Sequence, residues 1–563
     1  MDTSILVPLP VLMPLLAAGA TLALPHHPRL QRFISVGTLV AVVAVAAALV
    51  VVADREGPQV VQVGAWPTTL GIALVADRLA ALMLLVSGLV TLAVLVYSIG
   101  QGMTGDEEEM TPISIYHPTF LVLVAGVSNA FLAGDLFNLF VSFEMLLFAS
   151  YVLLTLGGTA ARVRAGTIYV VVNLLSSMLF LITIALVYAA TGSLSLAQLA
   201  GRIADLPDGV ALVLQLMLLT TFAIKAAVFP LSFWLPDSYP TAPAPVTAVF
   251  AGLLTKVGVY AILRVQTLLF PENPLTDLLL WAALATMLVG ILGAIAQSDI
   301  KRLLSFTLVS HIGYMIFGIG LGTVAGFSGA IFYVVHHITI QTALFLVVGL
   351  IERRAGSSAR VRLGGLAALS PLVAVLFFIP AMNLSGIPPL SGFIGKTGLL
   401  QAGIELDTPL SYALVAGAVV TSLLTLYAAA KTWSLTFWRT PEEAHELAAS
   451  MPQPECAPDE AQPVGVVRHR GHVHGPEGVV SADALEEARL LREHEERDLY
   501  QLLRDDALPS RLPASMVLPT AALVTLSLVF TVVAGPLFAY TDRAAADLVD
   551  ASTYITAVLG DVR

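Results

Sequence analysis

Long unbroken apolar runs constrain this chain more than any other feature. Ile34 to Ala53 and Leu70 to Tyr97 are two clear cases. Runs of about 20 apolar residues match the thickness of the bilayer hydrocarbon, so each predicts a membrane-spanning helix. Strands of a membrane β-barrel would be short and alternating instead. Composition agrees: 57% of the 563 residues are hydrophobic and 12% are charged, about half the charged share of an ordinary soluble domain. The first run lacks a basic leader and a small-residue cleavage site, so it is expected to be retained as a helix.

The pattern predicts an all-α polytopic membrane protein of about 14 spans, at roughly 3–24, 34–53, 72–100, 117–133, 135–156, 165–190, 210–235, 242–270, 276–297, 302–321, 325–351, 367–403, 408–438 and 514–538. The seventh is interrupted by Pro230 and Pro236, the twelfth by Pro388 and Pro389. Broken helices at membrane depth persist only where protein or a cavity surrounds them. Lys and Arg concentrate in loops after odd-numbered spans: Arg29 and Arg32; Arg162 and Arg164; Lys301 and Arg302; Arg353, Arg354, Arg360 and Arg362. Those loops are expected to be cytoplasmic and both termini extracytoplasmic.

A polar segment at 439–512 departs from the apolar pattern. Its first half, Met451 to Pro476, is expected to lack structure, and Ser481 to Asp506 to form a charged helix with a weak apolar stripe. His469, His472 and His474 are read there as solvated side chains rather than a metal site. Much of the acid behind the net charge of −11 lies in this segment. The single cysteine, Cys456, excludes an intrachain disulfide and a cysteine metal cluster. No phosphate-cradling glycines, cofactor motif or nucleic-acid signature stands out, so a transporter without covalent catalysis, cofactor or metal is expected.

Ionisable residues inside spans carry the chemistry. Each costs roughly 2.5–3.5 kcal/mol on insertion scales and is kept when paired or used. Glu144, Lys225 and Lys256 lie far from the ends of their runs, Lys396 follows the Pro388-Pro389 break, and His311 and His337 lie in two further spans. An amine in low dielectric readily gives up its proton, and a nearby carboxylate restores it. Glu144 with Lys225 is the expected switchable pair, Lys256 the next acceptor, His311 and His337 relays and Lys396 the terminal site. Two plainer readings stay open: a static buried Glu–Lys bridge, and histidines that merely pack. Asp77, Asp135 and Asp299 are expected as caps or anchors near span ends, Asp237 as structural.

Four stretches resemble the antiporter-like proton-channel subunits shared by respiratory complex I, membrane hydrogenases and Mrp-type cation/proton antiporters. They are Gly134-Asp-Leu-Phe-Asn-Leu-Phe-Val-Ser-Phe-Glu144, Lys225 through Trp234-Leu-Pro-Asp-Ser-Tyr239 to Lys256, Gln297-Ser-Asp-Ile-Lys-Arg302 with Ser310-His-Ile-Gly-Tyr314, and Ile387-Pro-Pro-Leu-Ser-Gly-Phe-Ile-Gly-Lys396. Within that family the Asp-Leu-Phe-Asn-Leu-Phe-Val run most resembles the D-type member of the Mrp antiporters. The resemblance implies two inverted five-helix repeats with discontinuous seventh and twelfth helices. The implied divisions are 1–115 (spans 1–3), 116–270 (first repeat), 271–438 (second repeat), 439–512 (polar cytoplasmic segment) and 513–563 (last span and tail). It also implies that Glu144, Lys225, Lys256 and Lys396 match the family's essential glutamate and lysines. Gln341 stands where some branches carry a lysine, which leaves the second half-path to His337 with water, or to Lys301.

The expected function is proton translocation within a multisubunit sodium/proton antiporter of the bacterial plasma membrane, with other subunits, the lipid bilayer and protons as partners. Whether sodium enters this chain is left open. The alternative is a proton-pumping subunit of a complex I-type or hydrogenase-type oxidoreductase, and a third reading is a structural membrane scaffold.

Overall fold

The computed structural model describes residues 3–66, 71–102, 113–156, 159–272, 274–450, 499–505 and 511–560, with three short strands between 467 and 480. Numbering the long helices only, these are α1 Leu9–Leu22, α2 Pro28–Glu56, α3 Arg78–Gly100, α4 Ile113–Leu132, α5 Leu136–Thr155, α6 Ala160–Thr191, α7 Asp208–Ala226 and α8 Ala244–Leu268. They continue as α9 Thr276–Ala296, α10 Ile300–Gly320, α11 Val324–Ala355, α12 Pro371–Ser385, α13 Ser391–Glu405, α14 Pro409–Trp438, α15 Ala514–Val532 and α16 Ala534–Val549. Among the described residues, 13 helices are long and apolar enough to cross a membrane. The expected twelfth span is the pair α12 and α13, which completes the 14 anticipated crossings.

Caps and prolines set the ends. Asp77, Asp135 and Asp299 accept from the backbone N–H groups of Ala80, Asn138 and Arg302, so all three expected anchors are N-caps. In the seventh span the helix stops at Ala226, four residues before Pro230, where a proline ring would strike the carbonyl. Ala227 turns left-handed, and the Ile224 carbonyl accepts both the Ala227 N–H at 3.2 Å and the Trp234 indole N–H at 3.1 Å. In the twelfth, α12 ends at Ser385 with Gly386 in the left-handed region, a common helix stop. The last span differs from expectation: α15 ends at Val532 and α16 begins at Ala534. Pro536 lies four residues past Val532 and cannot continue that helix.

Burial sorts the helices. The most apolar stretches of α8 and α11 are wholly enclosed and that of α10 nearly so (94%), whereas only 28% of α2 is covered. The enclosed three carry Lys256, His311 and His337, so these three expected titratable side chains sit in the core of the bundle and not on its rim. α15 packs on α3 and α11, and α16 on α11, which ties the C-terminal helices back to the first third of the chain.

Gln59–Gln62 pairs with Ala73–Ala76 in a short antiparallel hairpin. Part of the segment expected to lack structure has a regular backbone: Val467–His469, His472–Gly475 and Gly478–Val480 form a three-stranded antiparallel meander. Leu499–Arg504 is helical. Cys456 and most of the expected helix at Ser481 to Asp506 lie outside the described residues.

Candidate functional site

Lys225 lies in the last turn of α7, buried at 5% exposure. Its Nζ donates to the Asn173 carbonyl (3.3 Å) and the Ser177 hydroxyl (3.1 Å) on α6, over the Phe143 ring at 5.7 Å. Glu144, next to Phe143 on α5, has a buried Oε1 without a hydrogen-bond partner. The expected pair is thus brought to one region of the bundle, and no ion pair joins it among the described residues.

Lys256 sits where α8 changes pitch. Phe250–Leu254 is a π-helical turn, and the Lys256 Nζ donates to the Ala251 carbonyl within it at 2.6 Å. Such single-turn π segments recur at functional sites because they free backbone groups. Further along the core, the His311 and His337 rings lie 5.2 Å apart. His311 Nδ1 meets the Tyr333 hydroxyl at 2.5 Å, while its Nε2 and both His337 nitrogens are buried without partners. The neighbouring His336 is held by Ser391 at 3.0 Å.

Lys396 closes the row. In an unbroken helix the N–H groups at positions 388 and 389 would bond the carbonyls of Leu384 and Ser385; both positions are proline and have none. The Lys396 Nζ takes those same two carbonyls, at 3.0 and 3.2 Å, and lies 4.9 Å over the Tyr314 ring. The C-terminal end of α12 adds the negative pole of its dipole there.

Other expectations resolve plainly. Lys301 pairs with Glu352 at 2.6 Å near the ends of α10 and α11, so it is engaged outside the histidine row. Gln341 donates to the Leu304 carbonyl at 2.7 Å, and its buried amide oxygen has no partner. Asp237 pairs with Arg302 at 2.9 Å on an exposed surface, in keeping with a structural role.

One buried charge escaped the sequence reading. Arg264, on the Lys256 helix, forms a 2.6 Å ion pair with Asp77, both nearly enclosed. It also donates to the Tyr260 hydroxyl, which reaches the Phe131 carbonyl. An arginine between Leu263 and Val265 inside an apolar run was the available signal.

The enclosed core helices, the paired helix breaks and the row of buried amines and imidazoles define an antiporter-like membrane protein, and the chain belongs to the NADH:quinone oxidoreductase/Mrp antiporter transmembrane family, whose profile matches residues 133–425. Within it, the chain is similar to the D-type Na(+)/H(+) antiporter protein of Alkalihalophilus pseudofirmus, 40% identical over 79% of this chain and 89% of the relative. The protein of the same name from Bacillus subtilis is 37% identical over 79% and 90%. A chain in the structure of the Mrp complex from Dietzia sp. superposes with a TM-score of 0.82 at 34% identity, covering 99% of both chains. A chain of respiratory complex I from Thermus thermophilus (TM-score 0.71, 23% identity, 97% of this chain and 99% of that one) shares the fold. The resemblance read from the four sequence stretches therefore holds.

Proposed function

We propose that this chain is the D-type proton path of a multisubunit sodium/proton antiporter in a bacterial plasma membrane. One observation carries the reading: Lys225, Lys256 and Lys396 are each at most 5% exposed, lie on separate helices and rest on carbonyl or hydroxyl oxygens, with no ion pair at any of them among the described residues. A scaffold would pin such charges with carboxylates, as Arg264 is pinned by Asp77. Amines with only neutral acceptors are suited to taking up and releasing protons. Glu144 biases Lys225, Lys256 passes charge onward, and His311 and His337 bridge the core to Lys396. The names and high coverage of the relatives favour the antiporter over a redox-driven pump, and the chain acts as a transporter component without covalent chemistry.

The division into two inverted repeats, and a topology with both termini extracytoplasmic, belong to the same proposal. Asp135 bridges Ser195, and Asp299 bridges Ala359. Both bridges span 60 residues (195 − 135 and 359 − 299), and each starts at the N-cap of a helix carrying part of the path. By the loop charges the two bridges fall on opposite faces, as inversion requires.

Sodium-driven proton flux in vesicles containing the intact complex tests the reading. Glu144→Ala, Lys225→Ala and Lys396→Ala should each abolish exchange while the complex assembles. Wild-type exchange by Lys225→Ala and Lys396→Ala would overturn it, and loss of assembly in all three would favour the scaffold.

A further inference from the structure

The Tyr169 ring, 1% exposed on α6, touches the support of every ionisable group assigned to the first half of the chain. Its hydroxyl meets the Ser150 hydroxyl on α5 at 2.9 Å, and the Tyr151 ring stands edge-on to it at 5.4 Å. α5 is the helix of Glu144. One turn along α6, the Asn173 amide donates to the Tyr169 carbonyl at 2.8 Å, and the Asn173 carbonyl in turn accepts from the Lys225 amine at 3.3 Å. The Trp234 ring lies 5.5 Å from Tyr169, and its indole N–H binds Ile224, the residue before Lys225. On a further side, Tyr169 lies nearly parallel to Phe250, at 6.3 Å and 10°. Phe250 is the first residue of the π turn whose Ala251 carbonyl holds Lys256. Tyr239, from the break in the seventh span, closes the cluster at 6.5 Å from Tyr169 and 5.7 Å from Phe250.

Rings at these separations attract one another edge-to-face or offset-stacked. An α-helical turn holds its own pitch through its backbone bonds. A lone π turn is an irregular insertion, so the pitch at Phe250 depends on what packs against it. Tyr169 packs against it from the helix that also holds Lys225. Close-packed side chains have few voids to yield into, so a shift of one neighbour reaches the next. A single ring therefore ties together three elements that are far apart in sequence and each carry one ionisable group.

We propose that Tyr169 is a positioning residue that keeps the Glu144 and Lys225 helices in fixed register with the π turn of Lys256, so that Lys225 can hand its proton on. The inference rests on the reading of these lysines as proton sites. In the transfer an N–H bond of the Lys225 ammonium breaks and leaves a neutral amine. A new N–H bond makes the Lys256 amine an ammonium. Tyr169 itself gives up no proton. Without its ring the helices keep their backbone bonds but lose their common contact, and the transfer slows.

Sodium-driven exchange by the intact complex in vesicles, run in light and in heavy water, provides the test. Tyr169→Leu removes the ring contacts. It should lower exchange at least tenfold and at least double the solvent isotope effect, because misplaced donors and acceptors make proton transfer the slow step. Tyr169→Phe keeps the rings and loses only the Ser150 bond. It should stay within about threefold of the wild type with an unchanged isotope effect. Phe250→Leu should slow exchange in the same way, and the double variant should be no slower than Tyr169→Leu alone, since both break one contact. Tyr188→Leu, at an exposed position of the same helix, should match the wild type. Loss of a ring that merely fills space would reduce the amount of working complex and leave the isotope effect where it was. The proposal is overturned if Tyr169→Leu exchanges like the wild type, or if its slower exchange keeps the wild-type isotope effect. Should Tyr169→Leu fail to assemble, Phe250→Leu is read by the same two criteria. Wild-type exchange by Lys225→Ala and Lys256→Ala would instead defeat the assignment of the lysines, whereas a failure of the positioning role alone leaves both of those variants inactive.

Discussion

Gly258 lies against the backbone of Ala226: a Cβ at Gly258 would come within 2.7 Å of the Ala226 nitrogen and 3.0 Å of the Lys225 carbonyl carbon. The helix carrying Lys256 thereby reaches the last turn of the helix carrying Lys225 with nothing between them. Backbone cannot yield as a flexible side chain can. Gly258→Val should push α8 from α7, lower thermal stability of the purified complex and reduce exchange at least tenfold. Wild-type melting and flux for this variant would show that the close approach is dispensable.

The Arg264–Asp77 pair should behave as a structural element, in contrast to the lysines. Removing one partner of a buried pair leaves an uncompensated charge, typically at a cost of about 3–5 kcal/mol. Arg264→Ala and Asp77→Ala should each show that loss in denaturant unfolding, and the double variant Arg264→Met with Asp77→Leu should recover most of it. Equal destabilisation by single and double variants would refute the coupling.

Gly386 couples the α12 stop to Lys396. Its φ of +83° disfavours a side chain, and an added Cβ would sit 3.0 Å from Lys396 Cδ and 3.4 Å from Nζ. Gly386→Ala should cost about 1–2 kcal/mol in backbone strain and should also displace the amine from its two carbonyls. The readout is flux against pH, which should shift in this variant and stay unchanged in Gly535→Ala, a glycine with open space around it.

Ser177 is the only side-chain hydrogen-bond partner that Lys225 has among the described residues. Ser177→Ala leaves the Asn173 carbonyl in place, so exchange should fall by less than tenfold while Lys225→Ala abolishes it. Equal losses would mean that the hydroxyl, and not the amine alone, is required in the transfer.

Much of this was legible because prolines and intramembrane charges are costly and therefore conspicuous. Pro388 and Pro389 located the twelfth break, and counting back four residues identifies the carbonyls that Lys396 takes. The sequence also placed Glu144, Lys225 and Lys256 in the right spans. Their partners were not legible, because Asn173, Ser177 and Ala251 meet the amines through helix packing that no local pattern encodes. Nor was the π turn before Lys256, since Phe-Ala-Gly-Leu-Leu is compatible with an ordinary helix and the register is set by neighbours such as Thr342 against Gly252. Arg264 was visible and was overlooked among hydrophobic neighbours.

The ring of charges around Arg78 reaches across the whole polypeptide. Arg78 pairs with Asp54 at 2.8 Å and with Asp547 at 2.6 Å, Arg543 also binds Asp54, and the Tyr540 hydroxyl donates to the Arg78 carbonyl. A ribosome delivers Asp54 and Arg78 more than 450 residues before Tyr540, Arg543 and Asp547. The N-terminal helices must therefore wait in the membrane with this cluster half built, until α16 emerges and acts as the clasp that locks them.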